Sequence, residues 1–315
     1  MHSVLSPLIV IFAGALIRLY SLSLFFSLLA DEGIYLQAVF SITRNCAPYK
    51  DLFLAHPPLY YFILYPFVLF EPTVWIARFA NLLLGIVTIV LTYYLAMEVT
   101  QSKKEATLAA LVFAFLPYSI YANSLILVDN GLAAFMTATA LFFFKYIKRG
   151  LRWPIVVAGL IGGLAFCTKL SAPLMLIVFA VYLLVKRPLK DFLAFVTALV
   201  IPPTAMMGIL YGIGVFDYFY HEVFMLQVIR FFIPLNLRVT HVAIFVGMAF
   251  PLILLVYLGV RGRVNVESLL LLTLFAFPFF VMLIGKTFFF HYPLFGVPPL
   301  CVLAAKELHD TITVS

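Results

Sequence analysis

Charged side chains are scarce in this chain of 315 residues, of which 10% are Asp, Glu, Lys or Arg and 65% are hydrophobic. Soluble globular domains carry about 25% charged and about 45–50% apolar residues. The scarcity of charge therefore excludes a soluble domain and predicts an all-α, polytopic membrane protein.

Cysteine is also rare, and the cysteines carry no metal-binding or disulfide pattern. Cys46, Cys167 and Cys301 lie far apart, without a C-x-x-C pair or a paired histidine. This spacing excludes a cysteine-type zinc site and gives no sign of a disulfide framework. No internal repeat at a fixed period is present, which argues against a transporter built from inverted repeats.

The net charge of +7 does not indicate a nucleic-acid partner. No basic patch with interleaved aromatic residues stands clear of the apolar runs, and the Lys and Arg residues cluster between those runs instead. The N-terminus has neither a charged n-region nor an A-x-A cleavage site within reach, so the first apolar run is predicted to be a retained span.

Long apolar runs fill most of the chain. A transmembrane helix needs about 20 apolar residues, and ten runs approach that length: 4–29, 74–98, 106–124, 131–147, 154–168, 172–185, 191–211, 242–260, 267–284 and 293–305. The segment 57–70 is shorter and is interrupted by Pro57, Pro58 and Pro66, so we expect it to be re-entrant or interfacial. Three glycines predict close helix packing: Gly159, Gly162 and Gly163.

The distribution of basic residues orients these spans. With a cytoplasmic N-terminus and a segment 57–70 that does not cross, the larger basic group faces the cytoplasm: Lys103, Lys104, Lys145, Lys148, Arg149, Arg152, Lys186, Arg187, Lys190, Arg261, Arg263 and Lys306. The smaller group faces outside: Arg44, Lys50, Arg78, Lys169, Arg230, Arg238 and Lys286. Residues 30–72 then form one extracytoplasmic catalytic loop with a juxtamembrane helix from Asp31 to about Thr43.

The outer face collects most of the side chains that can carry chemistry: Asp31, Glu32, Asp51, His56, Asp129, Lys169, His221, His241 and His291. Ionisable groups at a membrane boundary are costly to place and are usually functional. Asp31 and Glu32 could instead complement the macrodipole of a helix start. Neighbours i and i+1 do not face each other on a helix, so we expect one carboxylate to enter a site while the other caps or orients.

Other outer residues have two readings each. The His56-Pro57-Pro58 turn holds its histidine on a rigid backbone, either to donate to an anion or simply to be solvated. Asp129 is either a functional carboxylate or part of a turn, and Lys169 either contacts an anion or snorkels to the interface. Arg18 and Arg78 lie within or at the start of spans, where each is expected to need an anionic partner.

These short pieces, in their order, resemble the GT-C superfamily of polyprenyl-phosphate-sugar-dependent glycosyltransferases. The nearest resemblance is to the branch with the protein O-mannosyltransferases and the lipid A aminoarabinose transferase. The matching pieces are Asp31-Glu32 after the first span, His56-Pro57-Pro58-Leu59 (where the family has Lys or His before Pro-Pro), Arg78, Asp129 in LVDNGLAAF, the G-L-x-x-x-T-K piece ending at Lys169, and HYPLFGVPP. Together they cover the chain nearly end to end.

The resemblance implies an inverting transfer of a sugar from a polyprenyl phosphate to an acceptor hydroxyl, on the extracytoplasmic face of the plasma membrane. The implied catalytic carboxylates are Asp31, which acts as the base, Glu32 and Asp129. The donor phosphate is assigned to His56, Arg78, Lys169, Lys286, His291 and Tyr292, and substrate positioning to Tyr35 and Tyr60. No cofactor is expected to be required, with Mg²⁺ or Mn²⁺ bridging Asp31 and Asp129 as the alternative.

Two other classes remain open. One is a transporter or flippase of lipid-linked or small substrates, with Asp129, Lys169 and Arg18 as pathway charges; the other is a non-catalytic subunit of a glycan-assembly complex. The clustering of charges on one face favours the enzyme. The sequence ends at Ser315 without the soluble outer domain that family members commonly carry, so we expect one membrane module over residues 1–315. The acceptor is left open among glycan, lipid and protein, as is a partner subunit or a homo-oligomer.

Cysteine labelling from each side of the membrane tests this topology. In a background without Cys46, Lys50→Cys should react with an impermeant thiol reagent from outside, because it lies in the loop 30–72. Lys103→Cys should react only from inside. Labelling of both positions from the same side would contradict the topology and the shared outer site.

Overall fold

The computed structural model describes residues 6–24, 28–225, 229, 232–259 and 265–314. Those residues form fourteen α-helices and no β-strand, which confirms the all-α class. The helices are α1 (Pro7–Leu22), α2 (Ala30–Thr43), α3 (Leu59–Phe70), α4 (Val74–Thr100), α5 (Lys103–Phe115), α6 (Pro117–Asn123), α7 (Val128–Arg149), α8 (Trp153–Phe166), α9 (Ala172–Lys186), α10 (Leu189–Gly212), α11 (Phe216–Phe219), α12 (Leu235–Gly259), α13 (Val266–Ile284) and α14 (Val297–Val314). A π-helical turn spans Tyr220–Met225 and a 3₁₀ helix spans Tyr292–Gly296. Three residues of the topology prediction lie outside the described residues: Arg230, Arg261 and Arg263.

Five of the described helices are long and apolar enough to cross a membrane: α4, α7, α10, α12 and α13. The pair α5 and α6 would make a sixth span, bent by 60° at its break. Four shorter apolar helices, α1, α3, α8 and α9, have 12 to 16 residues. The chain is therefore a polytopic helical membrane protein, and the figure of about ten spans stays a prediction.

Two elements near the start of the chain position the later site. α2 occupies Ala30–Thr43, where the sequence predicted a helix. α3 has 12 residues with Pro66 inside it, a length of about 18 Å at 1.5 Å per residue. That is shorter than the hydrocarbon thickness of about 30 Å, which agrees with the expected re-entrant or interfacial segment.

The predicted close packing of glycines is confirmed between α8 and α10. A Cβ atom added to Gly159 would lie 2.5 Å from the carbonyl oxygen of Phe195, and one added to Gly163 would lie 2.5 Å from that of Leu199. Only glycine permits this approach of two backbones. The contact fixes the end of α8, and Lys169 follows that end directly.

Arg18 contradicts the expectation of an anionic partner, because its buried guanidinium binds carbonyl and amide groups instead. Its Nη1 donates to the carbonyl of Ala114 at 2.8 Å, and its Nε donates to Oδ1 of Asn123 at 3.0 Å. Pro117 has no N–H for the carbonyl of Phe113, four residues earlier, which Arg18 Nη2 contacts at 3.4 Å. Arg18 thus satisfies polar groups that the break between α5 and α6 exposes to an apolar interior.

Candidate active site

The centre of the site is a buried ion pair between α2 and α4. Arg78 donates to Glu32 through Nε at 2.8 Å and through Nη2 at 2.7 Å, and both side chains are excluded from solvent. The expectation of an anionic partner is confirmed for Arg78. A bidentate contact of this kind fixes direction as well as distance.

Glu32 accepts two further hydrogen bonds from the backbone. The N–H of Leu29, the N-cap residue of α2, lies 3.1 Å from Oε2, and the N–H of Ile126 lies 2.9 Å from Oε1. Together with the two hydrogen bonds from Arg78, the carboxylate accepts four hydrogen bonds, and it links α2, α4 and the segment that precedes α7. This geometry makes Glu32 a group that orients its neighbours, and it holds the guanidinium of Arg78 through two of its five N–H donors.

Asp129, in the first turn of α7, pairs with Lys169 in the connection between α8 and α9. The Nζ atom of Lys169 lies 2.7 Å from Oδ1 and 2.8 Å from Oδ2 of Asp129. Both side chains are buried, and the ammonium lies 4.1 Å from the centre of the Tyr292 ring. The sequence placed these two residues in different roles, whereas the structure joins them as one neutralised pair.

Asp31 differs from both buried carboxylates, because its side chain is 38% exposed. Its Oδ2 atom lies 3.8 Å from Nε2 of His291, and the same nitrogen lies 3.7 Å from Oδ2 of Asp129. Asp31, Asp129 and His291 therefore meet at one point. Burial, and after it the ammonium of Lys169, lowers the pKa of His291 to about 3, so the imidazole is neutral at physiological pH.

His56 is held by two tyrosines. Its Nε2 is 3.0 Å from the hydroxyl of Tyr35, and its carbonyl accepts a hydrogen bond of 2.9 Å from Tyr49. The ring of Tyr35 packs edge-on against Tyr60 at 5.7 Å. Tyr60 itself is fully buried and donates to Asn81 at 2.8 Å. Its hydroxyl therefore holds α3 against α4 and, contrary to the prediction from the sequence, does not face a substrate.

Asn81 belongs to a buried chain of amides that sequence reasoning missed. Asn130 donates to Asn81 at 3.1 Å and accepts from Asn123 at 2.7 Å, and Asn123 in turn accepts from Arg18. The chain connects α1 to the residue next to Asp129. Single asparagines in apolar runs were the only available signal, and their partners are far apart in sequence.

A cavity of about 340 Å³ opens beside the cluster, where α9 begins and α13 ends. Its polar lining brings together residues from four parts of the chain: His56, Lys169, Ser171, Lys286 and Tyr292. The Oγ atom of Ser171 is buried and has no hydrogen-bond partner among the described residues. The sequence analysis missed Ser171, because a single serine in a short connection carries no recognisable pattern.

Lys286 lines this cavity from the connection after α13, and Arg238 hydrogen-bonds to the backbone of that connection. Arg238 donates to the carbonyl of Lys286 through Nη2 at 2.7 Å, and the N–H of Ile233 donates to the same carbonyl at 3.0 Å. Arg238 is a further residue that the sequence analysis did not assign to the site. It positions the backbone that carries a cation into the cavity.

An apolar cavity of about 390 Å³ lies farther along the same two helices, α9 and α13. Its lining includes Ile177, Val181 and Val185 from α9 and Phe277 from α13. From Leu174 at the polar cavity to Val185, α9 extends about 17 Å at 1.5 Å per residue. The polar cavity and the apolar cavity together suit an amphiphilic ligand with an anionic head group.

The alternative of a metal bridged by Asp31 and Asp129 does not fit this arrangement. Both oxygens of Asp129 already face the ammonium of Lys169, and a bridging cation would have to displace it. Within the described ranges, no group of three or more His, Cys, Asp or Glu residues is arranged to hold a metal ion.

The sequence of this chain was compared with known protein families and with curated proteins. The family of dolichyl-phosphate-mannose-protein mannosyltransferases matches residues 55–211. The matched range includes His56, Arg78, Asp129 and Lys169 but neither Asp31 nor His291. A comparison with curated protein sequences found no match.

Solved structures match a longer part of the chain. ArnT from Cupriavidus metallidurans bound to undecaprenyl phosphate superposes with a TM-score of 0.77 at 18% identity, over 96% of this chain and 60% of that chain. AglB from Archaeoglobus fulgidus, an archaeal oligosaccharyltransferase in complex with an inhibitory peptide and a dolichol-phosphate, superposes with a TM-score of 0.60 at 14% identity. That match covers 98% of this chain and 50% of AglB. The chain thus spans 50% to 60% of the length of these two structures.

The described helices share their fold with these two solved structures. The resemblance to the GT-C superfamily, and to its branch of protein O-mannosyltransferases and aminoarabinose transferases, is confirmed.

Unfolding measurements on two neighbouring variants separate the roles of Glu32 and Asp31. Glu32→Gln leaves Arg78 buried without a counter-charge, so the free energy of unfolding should fall by about 3–5 kcal/mol. Asp31→Asn alters a partly exposed carboxyl group and should change it by no more than about 0.5 kcal/mol. Denaturant titration of both purified variants in one detergent measures the difference. Equal losses would contradict the assigned roles.

Proposed function

We propose that this protein is an inverting glycosyltransferase that moves a sugar from a polyprenyl phosphate to an acceptor hydroxyl, on the extracytoplasmic face of a plasma membrane. The observation that carries the proposal is the cavity lined by Lys169, Lys286 and His56, with an apolar cavity along the same helices. Asp31 lies 3.8 Å from His291, the neighbour of the lining residue Tyr292. A lipid phosphate needs cationic donors for its head and an apolar path for its tail, and both are adjacent here.

The donor phosphate is assigned to the 340 Å³ cavity. Lys286 and His56 are the principal contacts of the phosphate. Lys169 also contributes a hydrogen-bond donor, but the carboxylate of Asp129 balances its charge. Arg78 is not a phosphate contact in this proposal, because its buried guanidinium is held by the carboxylate of Glu32. The polyprenyl tail follows α9 and α13. ArnT with undecaprenyl phosphate and AglB with dolichol-phosphate support this class of donor.

Asp31 is the proposed base, since it is the exposed carboxylate of the cluster. It takes the proton of the acceptor hydroxyl while the oxygen attacks the anomeric carbon from the side opposite the phosphate. The bond between that carbon and the phosphate oxygen breaks, and its electron pair leaves with the phosphate monoester. Lys286 and His56 receive the developing negative charge, as preorganised donors do in other transfer reactions.

The remaining assignments follow from the same arrangement. Asp129 with Lys169 positions the site, Tyr35 positions the substrate, and Tyr292 belongs to the donor-phosphate site. No divalent metal is required in this scheme, because side chains can neutralise a monophosphate. The transferred sugar is a hexose or a pentose, and the acceptor is a hydroxyl of a glycan, lipid or protein. A partner subunit or a homo-oligomer is proposed as well.

Release of polyprenyl phosphate by the purified protein tests this function. With a matching polyprenyl-phosphate sugar and acceptor, the parent protein should form product of inverted anomeric configuration. Asp31→Asn removes the proton acceptor and should lower single-turnover transfer by about 10²–10⁴-fold at saturating donor. Asp51→Asn, an exposed aspartate on the same outer loop, serves as the matched control and should keep normal transfer.

Two outcomes would contradict the account at different levels. Retention of normal transfer by Asp31→Asn would exclude Asp31 as the base and leave the transfer reaction standing. Binding and translocation of the lipid without any cleavage, across a panel of lipid-linked sugars, would instead favour the flippase class.

A further inference from the structure

His291 stands apart from the other histidines of the outer cluster, because one of its nitrogens lies between two carboxylates. Nε2 is 3.7 Å from Oδ2 of Asp129 and 3.8 Å from Oδ2 of Asp31. The residue is 3% exposed and directly precedes Tyr292, which lines the polar cavity. The sequence assigned it to donor-phosphate binding, yet its nitrogen faces the carboxylates.

The surroundings determine which nitrogen carries the proton. Nδ1 of His291 is buried and has no hydrogen-bond partner among the described residues, whereas Nε2 has two anionic acceptors within 4 Å. An N–H buried without an acceptor costs free energy, so the proton belongs on Nε2. Such contacts are often long before substrate binds and tighten in the reactive complex. His291 is therefore a neutral donor directed at the carboxylates.

Aromatic neighbours keep the ring in that orientation. Phe289 stacks on the imidazole at 5.7 Å with an angle of 13° between the planes, and Tyr292 packs against it at 5.1 Å. The backbone is also anchored, because the hydroxyl of Tyr118 donates to the carbonyl of Phe290 at 2.9 Å. The ring has little freedom to turn Nε2 toward the cavity.

The two carboxylates differ in how much they depend on this donor. Asp129 is held by Lys169 through both oxygens. For Asp31, His291 is the one side chain of the described residues within ion-pair or hydrogen-bond distance. A carboxylate with a 38% exposed side chain and a single partner loses its orientation when that partner is removed.

We propose that His291 is a positioning residue whose Nε2–H aims the carboxylate of Asp31 at the acceptor hydroxyl. The proposal rests on the proposed transfer reaction, in which Asp31 is the base. It separates His291 from the phosphate contacts Lys286 and His56. The neutral state of the imidazole agrees with this separation, since a neutral ring adds no charge that would attract a phosphate.

A pair of amide substitutions tests the role of Nε2. The amide nitrogen of glutamine reaches the place of Nε2, whereas that of asparagine reaches only the place of Nδ1. His291→Asn should lower kcat by about 10–100-fold, as misplaced catalytic groups do, with the KM for donor unchanged. His291→Gln should recover most of kcat. His221→Asn, an exposed histidine of the same outer region, is the control and should match the parent.

The opposite kinetic pattern would overturn the proposal. A raised donor KM with normal kcat in both variants would return His291 to phosphate binding. Equal loss in the asparagine and glutamine variants would indicate a role for the ring in packing alone. Either result leaves the transfer activity of the parent, and thus the proposed function, unaffected.

A second measurement does not depend on activity. In the full chain labelled with ¹⁵N-histidine, the resonance that disappears in His291→Gln identifies this residue. It should show the neutral Nε2–H tautomer at neutral pH, and its N–H proton should shift in Asp31→Asn. An Nδ1–H tautomer, an imidazolium, or no response to Asp31→Asn would overturn the proposal even if the parent transfers no sugar.

Discussion

The arrangement of the site depends on the buried pair of Glu32 and Arg78. Its carboxylate accepts two hydrogen bonds from the guanidinium and one each from the N–H groups of Leu29 and Ile126. α2, α4 and the segment before α7 therefore meet at one anion. Breaking such a pair leaves an uncompensated charge in an apolar interior. Because Asp31 adjoins Glu32 and Asp129 lies three residues after Ile126, the same anion sets the distance between the two carboxylates of the cluster.

A second constraint is that each of the other deeply buried charges in the site has its own partner. Lys169 neutralises Asp129, and Arg18 satisfies carbonyls at the break between α5 and α6. The carboxylate with an exposed surface is Asp31. Burial thus divides the ionisable groups into those that hold the helices together and those that can meet a substrate. Proton transfer is proposed for Asp31 because it belongs to the second group.

Much of the fold could be predicted, because apolar runs and prolines act locally. The helical class, the helix at Ala30–Thr43 and the short segment after His56-Pro57-Pro58 follow from composition and backbone restriction. The hydrogen-bond and ion-pair partners of individual side chains could not be predicted, because they depend on tertiary contacts between residues distant in sequence. Arg18 was expected to bind an anion and instead binds carbonyls, and Tyr60 was expected to face a substrate and instead donates to Asn81. The apparently equivalent neighbours Asp31 and Glu32 differ only in what surrounds them.

In the proposed function, the cavity of about 340 Å³ holds the phosphate of a polyprenyl donor. A structure of the full chain with bound polyprenyl phosphate tests it most directly. The account predicts density for the phosphate within hydrogen-bond distance of Lys286 and His56, with the tail between α9 and α13. Density for the phosphate away from this cavity, or a tail between α8 and α10, would contradict it.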